Sequence, residues 1–215
     1  MSESINYKIN LNDNLFVDAI NHILLTYQVD EIIETGTFNG LGSTSIFAKT
    51  GKKVISIESC LNHYQQAKEN LKNYPNVFLN YGSSLDIKEM EEFIDNDDFY
   101  ESDLIKNKNL FIDGDKNFYK NEINGFGIEN PPKENILIDF IDNYSNQLIF
   151  LDSAGGVGYM EYQKVMSLSY KKLQKKVLLL DDIRHIKHYR SILDIKQKGY
   201  NLVISENQRF AYCTF

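Results

Sequence analysis

The chain has 215 residues, 42% hydrophobic and 25% charged, with 12 Gly and only 3 Pro. That balance excludes a disordered chain and suits one domain spanning 1–215, long enough to bury a core. A net charge of −7 argues against non-specific nucleic-acid binding, and no run offers the ~18 apolar residues of a membrane helix.

The opening MSESINYKIN has no basic-then-apolar leader pattern, and Cys60 and Cys213 stand far apart. Both observations point to free thiols in a reducing, cytoplasmic compartment. Between Glu91 and Asn135 lie 12 acidic and 5 basic residues, so this segment alone carries the whole charge imbalance. A stretch of that kind is expected to stand apart from the packed core, as an insertion or lid at about 96–133.

In chain order, Leu15, Phe16, Ala19, Ile20, Ile23 and Leu24 recur at helix spacing and predict a helix over 14–27. Glu31–Glu34 reads as a strand, 43–49 as a short helix, and 53–58 as a second strand. Leu61, Tyr64, Ala67 and Leu71 mark the next helix. A third strand at 76–79 closes on Tyr81-Gly82, and a helix over 85–93 follows. Beyond the acidic segment, 136–141 is periodic again. Residues 147–151 and 176–180 are near-continuous apolar runs, as strands buried on both faces require. Tyr162, Val165, Met166, Ser169 and Leu173 give the helix between them, and another is expected over 185–197. Two last strands, 200–205 and 209–215, have no helix between them and read as an antiparallel hairpin at one edge. The whole is an α/β, doubly wound, Rossmann-like sheet of seven strands, mainly parallel with that C-terminal hairpin.

The most informative stretch is Glu34-Thr35-Gly36-Thr37-Phe38-Asn39-Gly40-Leu41-Gly42-Ser43-Thr44. A strand ends in an acid, turns through three glycines and starts a helix. The spacing G-x-x-x-G-x-G is neither the dinucleotide fingerprint nor a Walker loop. Glu58 ends the second strand, where a carboxylate can accept from both hydroxyls of a ribose. With these residues the sequence resembles the class I S-adenosylmethionine (SAM)-dependent methyltransferases over about 29–215. The resemblance implies SAM as cofactor, held by Glu34, Gly36, Thr37, Asn39, Gly40, Ser43, Thr44, Glu58 and Ser59. It places Ser83 and Ser84 at the adenine, although the family's usual Asp is absent there, and Asp152 at the methionine end.

Asp152 follows the fourth strand, and Asp181-Asp182 follow the fifth. Strand ends that open on the same side could bring the three carboxylates together, a donor set suited to Mg²⁺ or another divalent cation. This is similar to metal-dependent O-methyltransferases of the catechol and macrocin-like sugar types. In such a site the cation would lower the pKa of a substrate hydroxyl. His185 is the expected base, with His188 three residues on. The sequence departs from the sugar enzymes at Ser153-Ala154-Gly155-Gly156, which carries no acid or histidine. Other roles stay open: Asp152 contacting only an ammonium, Asp182 capping a helix, solvated histidines.

Three further features are weighed. Asn130-Pro131-Pro132-Lys133 resembles an amino-methyltransferase motif but precedes the fourth strand and lacks the aromatic, so it reads as a loop. Asp113-Gly114-Asp115 opens like a calcium loop, yet Phe118 stands where glycine is required. Phe111, Phe118, Tyr119 and Phe126 could cover a substrate or, the better-supported reading, pack the insertion onto the sheet.

The function expected is SAM-dependent O-methylation of a small hydroxylated metabolite or sugar, with or without Mg²⁺. A catalytically inactive SAM-fold protein that binds a ligand or partner is the other reading. Arg184, Lys187 and Arg190 could form a cationic patch for an anionic acceptor, or pair with the acidic segment. A homodimer is the one protein partner the reading admits; nucleic acid and membrane are excluded.

Overall fold

The computed structural model describes residues 13–106, 110–124, 133–142, 144–168 and 175–215. Phe126, Asn130, Pro131, Pro132, Ser169 and Leu173 lie outside the described residues.

The elements are α1 (Asn14–Tyr27), β1 (Glu31–Thr35), α2 (Ser43–Lys49), β2 (Lys53–Glu58), α3 (Leu61–Asn70), β3 (Val77–Tyr81) and α4 (Ile87–Asn96). The insertion supplies a 3₁₀ turn (Asp98–Glu101), α5 (Asp103–Lys106) and α6 (Lys116–Asn124). Then come α7 (Leu137–Phe140), β4 (Gln147–Leu151), α8 (Gly158–Ser167), β5 (Lys176–Leu180), α9 (Tyr189–Gln197), β6 (Asn201–Ile204) and β7 (Ala211–Thr214).

The seven strands form one sheet in the order β3-β2-β1-β4-β5-β7-β6, parallel except for β7, which runs antiparallel to both β5 and β6. The hairpin is present as expected, with the last strand inward and β6 at the edge. Apolar runs work here because both faces are covered. On one face Leu148, Phe150, Val177 and Leu179 meet Phe16 and Phe47. On the other, Ile149, Leu151, Leu178 and Leu180 meet Tyr162, Val165 and Ile195. Asp13 starts α1 by accepting from the Phe16 amide at 3.1 Å.

The insertion has a packed core of its own. Leu110, Tyr119 and Ile123 are buried against Met90, Ile94 and Ile186. It is joined to the loop after β5 by a two-bond bridge: the Phe111 amide donates to the Arg184 carbonyl at 3.1 Å, and the Ile186 amide to the Phe111 carbonyl at 3.0 Å. That bridge holds 184–186 in non-helical geometry, which is why α9 begins four residues later than the apolar spacing suggests.

Candidate functional site

Strand order reverses between β1 and β4, and the crevice outside their carboxyl ends is where such sheets take ligands. The backbone is tightly drawn together there. Gly36 sits at φ +81°, and a Cβ on it would lie 2.2 Å from the Asp152 carbonyl oxygen. Only glycine lets the β1 loop cross the β4 loop this closely. The amides of Gly36 and Thr37 donate to the Ile57 carbonyl at 3.0 and 3.2 Å, which fixes the turn over β2.

Two carboxylates support this turn. Glu34 is fully buried and accepts from the hydroxyls of Ser43, Thr44 (2.7 Å) and Ser56 (2.7 Å). Burial pushes its carboxyl up to about 7 against those three hydroxyls. Glu34 therefore ties β1 to the start of α2 and to β2, from beneath the loop. Thr37 meets Ser56 at 2.5 Å in the same layer. Glu58 is also buried; it accepts from the amides of Phe38 (2.7 Å), Cys60 (2.8 Å) and Ser59, and burial raises its pKa. Phe38, itself at φ +53°, is half-exposed and packs edge-on against His63 beside this carboxylate. Asn39 closes the turn by accepting from the Leu41 amide at 3.1 Å, and Gly40 packs on Leu71.

Ser83 and Ser84 are buried, and their carbonyls accept from Ile136 and Leu137. The Ser84 hydroxyl faces Glu161, which also accepts from Thr35 (3.1 Å) and Ser153 (2.7 Å). Glu161 is a site residue that sequence reasoning missed. Burial raises its carboxyl. Its signal was a charged residue on the otherwise apolar face of α8.

On the β4–β5 side, Asp152, Asp181 and Asp182 converge, with one ligand atom of each within 4.8 Å of the others. Asp182 does not cap α9; it sits at φ +50°, and the residue before that helix is His188. Two cations fill the cluster. The Lys187 ammonium lies 2.7 Å from Asp152 and 3.4 Å from Asp182, and only 6% of the residue is exposed. Arg209, from the turn before β7, grips both oxygens of Asp181 at 3.1 Å and reaches Asp13 at 3.3 Å. Burial alone would lower the Lys187 pKa; Asp152, Asp182 and Asp181 hold it above the ordinary lysine value. Burial and the other two carboxylates push Asp181 up, and Arg209 opposes them.

Tested against a divalent cation, this set does not fit. Both oxygens of Asp181 belong to Arg209, and an ammonium already bridges the other two carboxylates. The expected metal ligands are thus together but are already paired with two cations of the chain.

His185 faces the insertion. Its Nδ1 accepts from the Lys187 amide at 3.2 Å, so Nε2 carries the proton and points at Asp113 (3.1 Å) and the Tyr119 hydroxyl (3.4 Å). Both ring nitrogens of the expected base are thus engaged. His188 is buried between the Leu151 carbonyl (3.1 Å) and Ser191 (3.3 Å), and burial holds its pKa well below the usual value. Gly155 and Gly156 have a physical reason here: a Cβ on either would strike Tyr119, at 2.7 and 2.8 Å. The insertion's ring takes the space where a side chain would stand. Arg190 forks Asp97 at 2.9 and 2.5 Å and lies over the rings of Tyr159 and Phe99. Arg184 lies over Phe111. Two of the three cations considered as a patch are therefore paired with carboxylates, Arg190 with one of the acidic segment.

Tested against SAM, the donor set fits. A carboxylate offers about four acceptor sites and the three amides use three, so Glu58 keeps room for one hydroxyl, where the sequence leads us to expect two. Among the described residues, no helix is long and apolar enough to cross a membrane.

No protein-family model matches the sequence, and no curated protein does. Solved structures do match. A protein from Staphylococcus aureus assigned as a caffeoyl-CoA O-methyltransferase aligns with TM-score 0.54 and 17% identity, over 96% of this chain and 85% of that one. A Klebsiella pneumoniae protein assigned as an O-methyltransferase gives 0.53 and 13%, over 97% and 81%. The O-methyltransferase from Bacillus cereus, in complex with SAH, gives 0.51 and 12%, over 97% and 82%. With the glycine turn at the β1/β4 reversal and the inward-running last strand, the chain has the fold of the class I SAM-dependent methyltransferases.

Proposed function

We propose that the protein is a SAM-dependent O-methyltransferase acting on a small hydroxylated metabolite or sugar. The observation that carries this reading is the meeting of two unlike carboxylate groups across Gly36: Glu58 beside the glycine turn, and Asp152 with Asp182 on the facing loops. Glu58 would hold the ribose, with the 36–40 turn along the methionine portion. When bound, SAM would supply an electrophilic methyl group on sulfur. The chain's part is to bind, orient and remove a proton. Asp152 is the group placed to take the acceptor's hydroxyl proton, since burial raises its carboxyl and makes it a better base than an ordinary aspartate. His185 steadies the loop that carries Lys187, through its bond from the Lys187 amide.

The divalent cation considered from sequence has no part in this reading, because Lys187 and Arg209 already pair with the carboxylates. Free Cys60 and Cys213 support a reducing, cytoplasmic setting. The test is calorimetric titration with SAM, followed by methyl transfer to a library of hydroxylated compounds. Glu58→Ala is expected to lose at least about tenfold in SAM affinity, since a charge-assisted hydrogen bond contributes about 1.5–3 kcal/mol. Unchanged affinity in the folded variant overturns the ribose assignment. SAM binding with no transfer to any acceptor returns the protein to the binding-only reading.

A further inference from the structure

We infer that Lys187 is a resident cation occupying the place a divalent ion would take among Asp152 and Asp182, so that this site excludes metal and presents an ammonium instead.

Three observations carry it. The ammonium touches both carboxylates, at 2.7 and 3.4 Å, while almost none of the residue reaches solvent. Its path is built: a Cβ on Gly158 would lie 2.3 Å from Lys187 Cγ, so the lysine stem runs through a gap that only glycine leaves. Its backbone is fixed too, by the bond from its amide to His185 and by the Phe111 bridge that keeps 184–186 out of a helix. A helix starting at 185 would not hold the chain in this path. A solvated surface lysine needs none of these. The third carboxylate, Asp181, is meanwhile held by Arg209.

An ammonium differs from a divalent ion in what it can do. It offers N–H donors in place of open coordination positions, so it orients an acceptor oxygen by hydrogen bonding and stabilises negative charge on it. That role toward an acceptor rests on the methyl transfer proposed above; the exclusion of metal does not.

Manganese is the probe, read by its electron paramagnetic resonance signal on the full chain without any substrate. Wild-type protein is expected to leave millimolar Mn²⁺ free. Lys187→Ala, and Lys187→Met as the variant that keeps the apolar stem, are expected to bind one Mn²⁺ at least about tenfold more tightly than wild type. Adding Asp182→Asn to either should abolish that gain. Stoichiometric binding by wild type that Asp182→Asn removes overturns the inference. So does a folded Lys187 variant that binds no better than wild type, because the ammonium then excludes nothing. SAM titrated into the same samples reads the methyltransferase proposal separately: its failure there leaves the Mn²⁺ result standing.

Discussion

The two sides of the crevice solve the same problem in opposite ways. On the β1–β2 side, Glu34 and Glu58 are buried and held by hydroxyls and backbone amides, with the His63 ring 4.0 Å from Glu58. On the β4–β5 side, Asp152, Asp181 and Asp182 are held by Lys187 and Arg209. Neutral donors can satisfy a carboxylate while leaving its charge uncompensated, so the first side keeps its affinity for donors such as sugar hydroxyls. Cations offset much of the charge on the second side and make it dependent on every partner staying in place. The second arrangement is the more sensitive to deletion of a partner.

The largest effect should come from the joint between the sides. Gly36→Val places a branched side chain at φ +81° against the Asp152 carbonyl, and a loss of more than about 5 kcal/mol or outright misfolding is expected. A near-wild-type melting curve would show that the two loops can part cheaply. Next is the cation-balanced side. Arg209→Ala leaves Asp181 buried beside two other carboxylates and should cost about 3–5 kcal/mol. Adding Asp181→Asn should recover much of that loss in denaturant titrations, and failure to recover would mean Arg209 acts by packing alone.

The neutral-donor side should show its character in pH. The Glu34 carboxyl is raised from 4.5 to about 7, so the folded state binds the proton more tightly than the unfolded chain does. Its contribution is therefore fully present below about pH 4.5 and is lost as pH rises through about 7, by roughly 3 kcal/mol. Glu34→Gln should lessen that slope between the two values, the other raised carboxyls keeping the rest; an unaltered slope assigns the dependence to them. The smallest effect is Ser43→Ala, which removes one of three hydroxyls on Glu34 and should cost about 1 kcal/mol. If it costs nothing, Thr44 and Ser56 suffice.

The same contrast explains what could be read from sequence. Strands with two covered faces announce themselves as apolar runs, and β1, β2, β4 and β5 fall where Ile32-Ile33, Val54–Ile57, Leu148–Leu151 and Val177–Leu180 put them. The glycine turn was legible because Gly36 and Gly40 need positive φ. The convergence of the three aspartates followed from strand direction alone. Their partners did not. Arg209 reaches Asp181 across 28 residues only because β7 enters beside β5. Lys187 looked like one face of a helix because the spacing extends that helix back to 185, whereas the bridge from Phe111 prevents it. A contact imposed by a distant segment leaves no period in the local sequence.

The inward position of β7 has a consequence for how the molecule is made. A chain emerging from the ribosome presents β5 and β6 before the strand that joins them exists, so the far edge of the sheet stays open until Thr214 has been added. Asp181, too, is made well before Arg209, which follows it by 28 residues. Completion of the sheet and the pairing of buried Asp181 with Arg209 therefore both wait for the same stretch of chain, the turn into β7 and the strand itself.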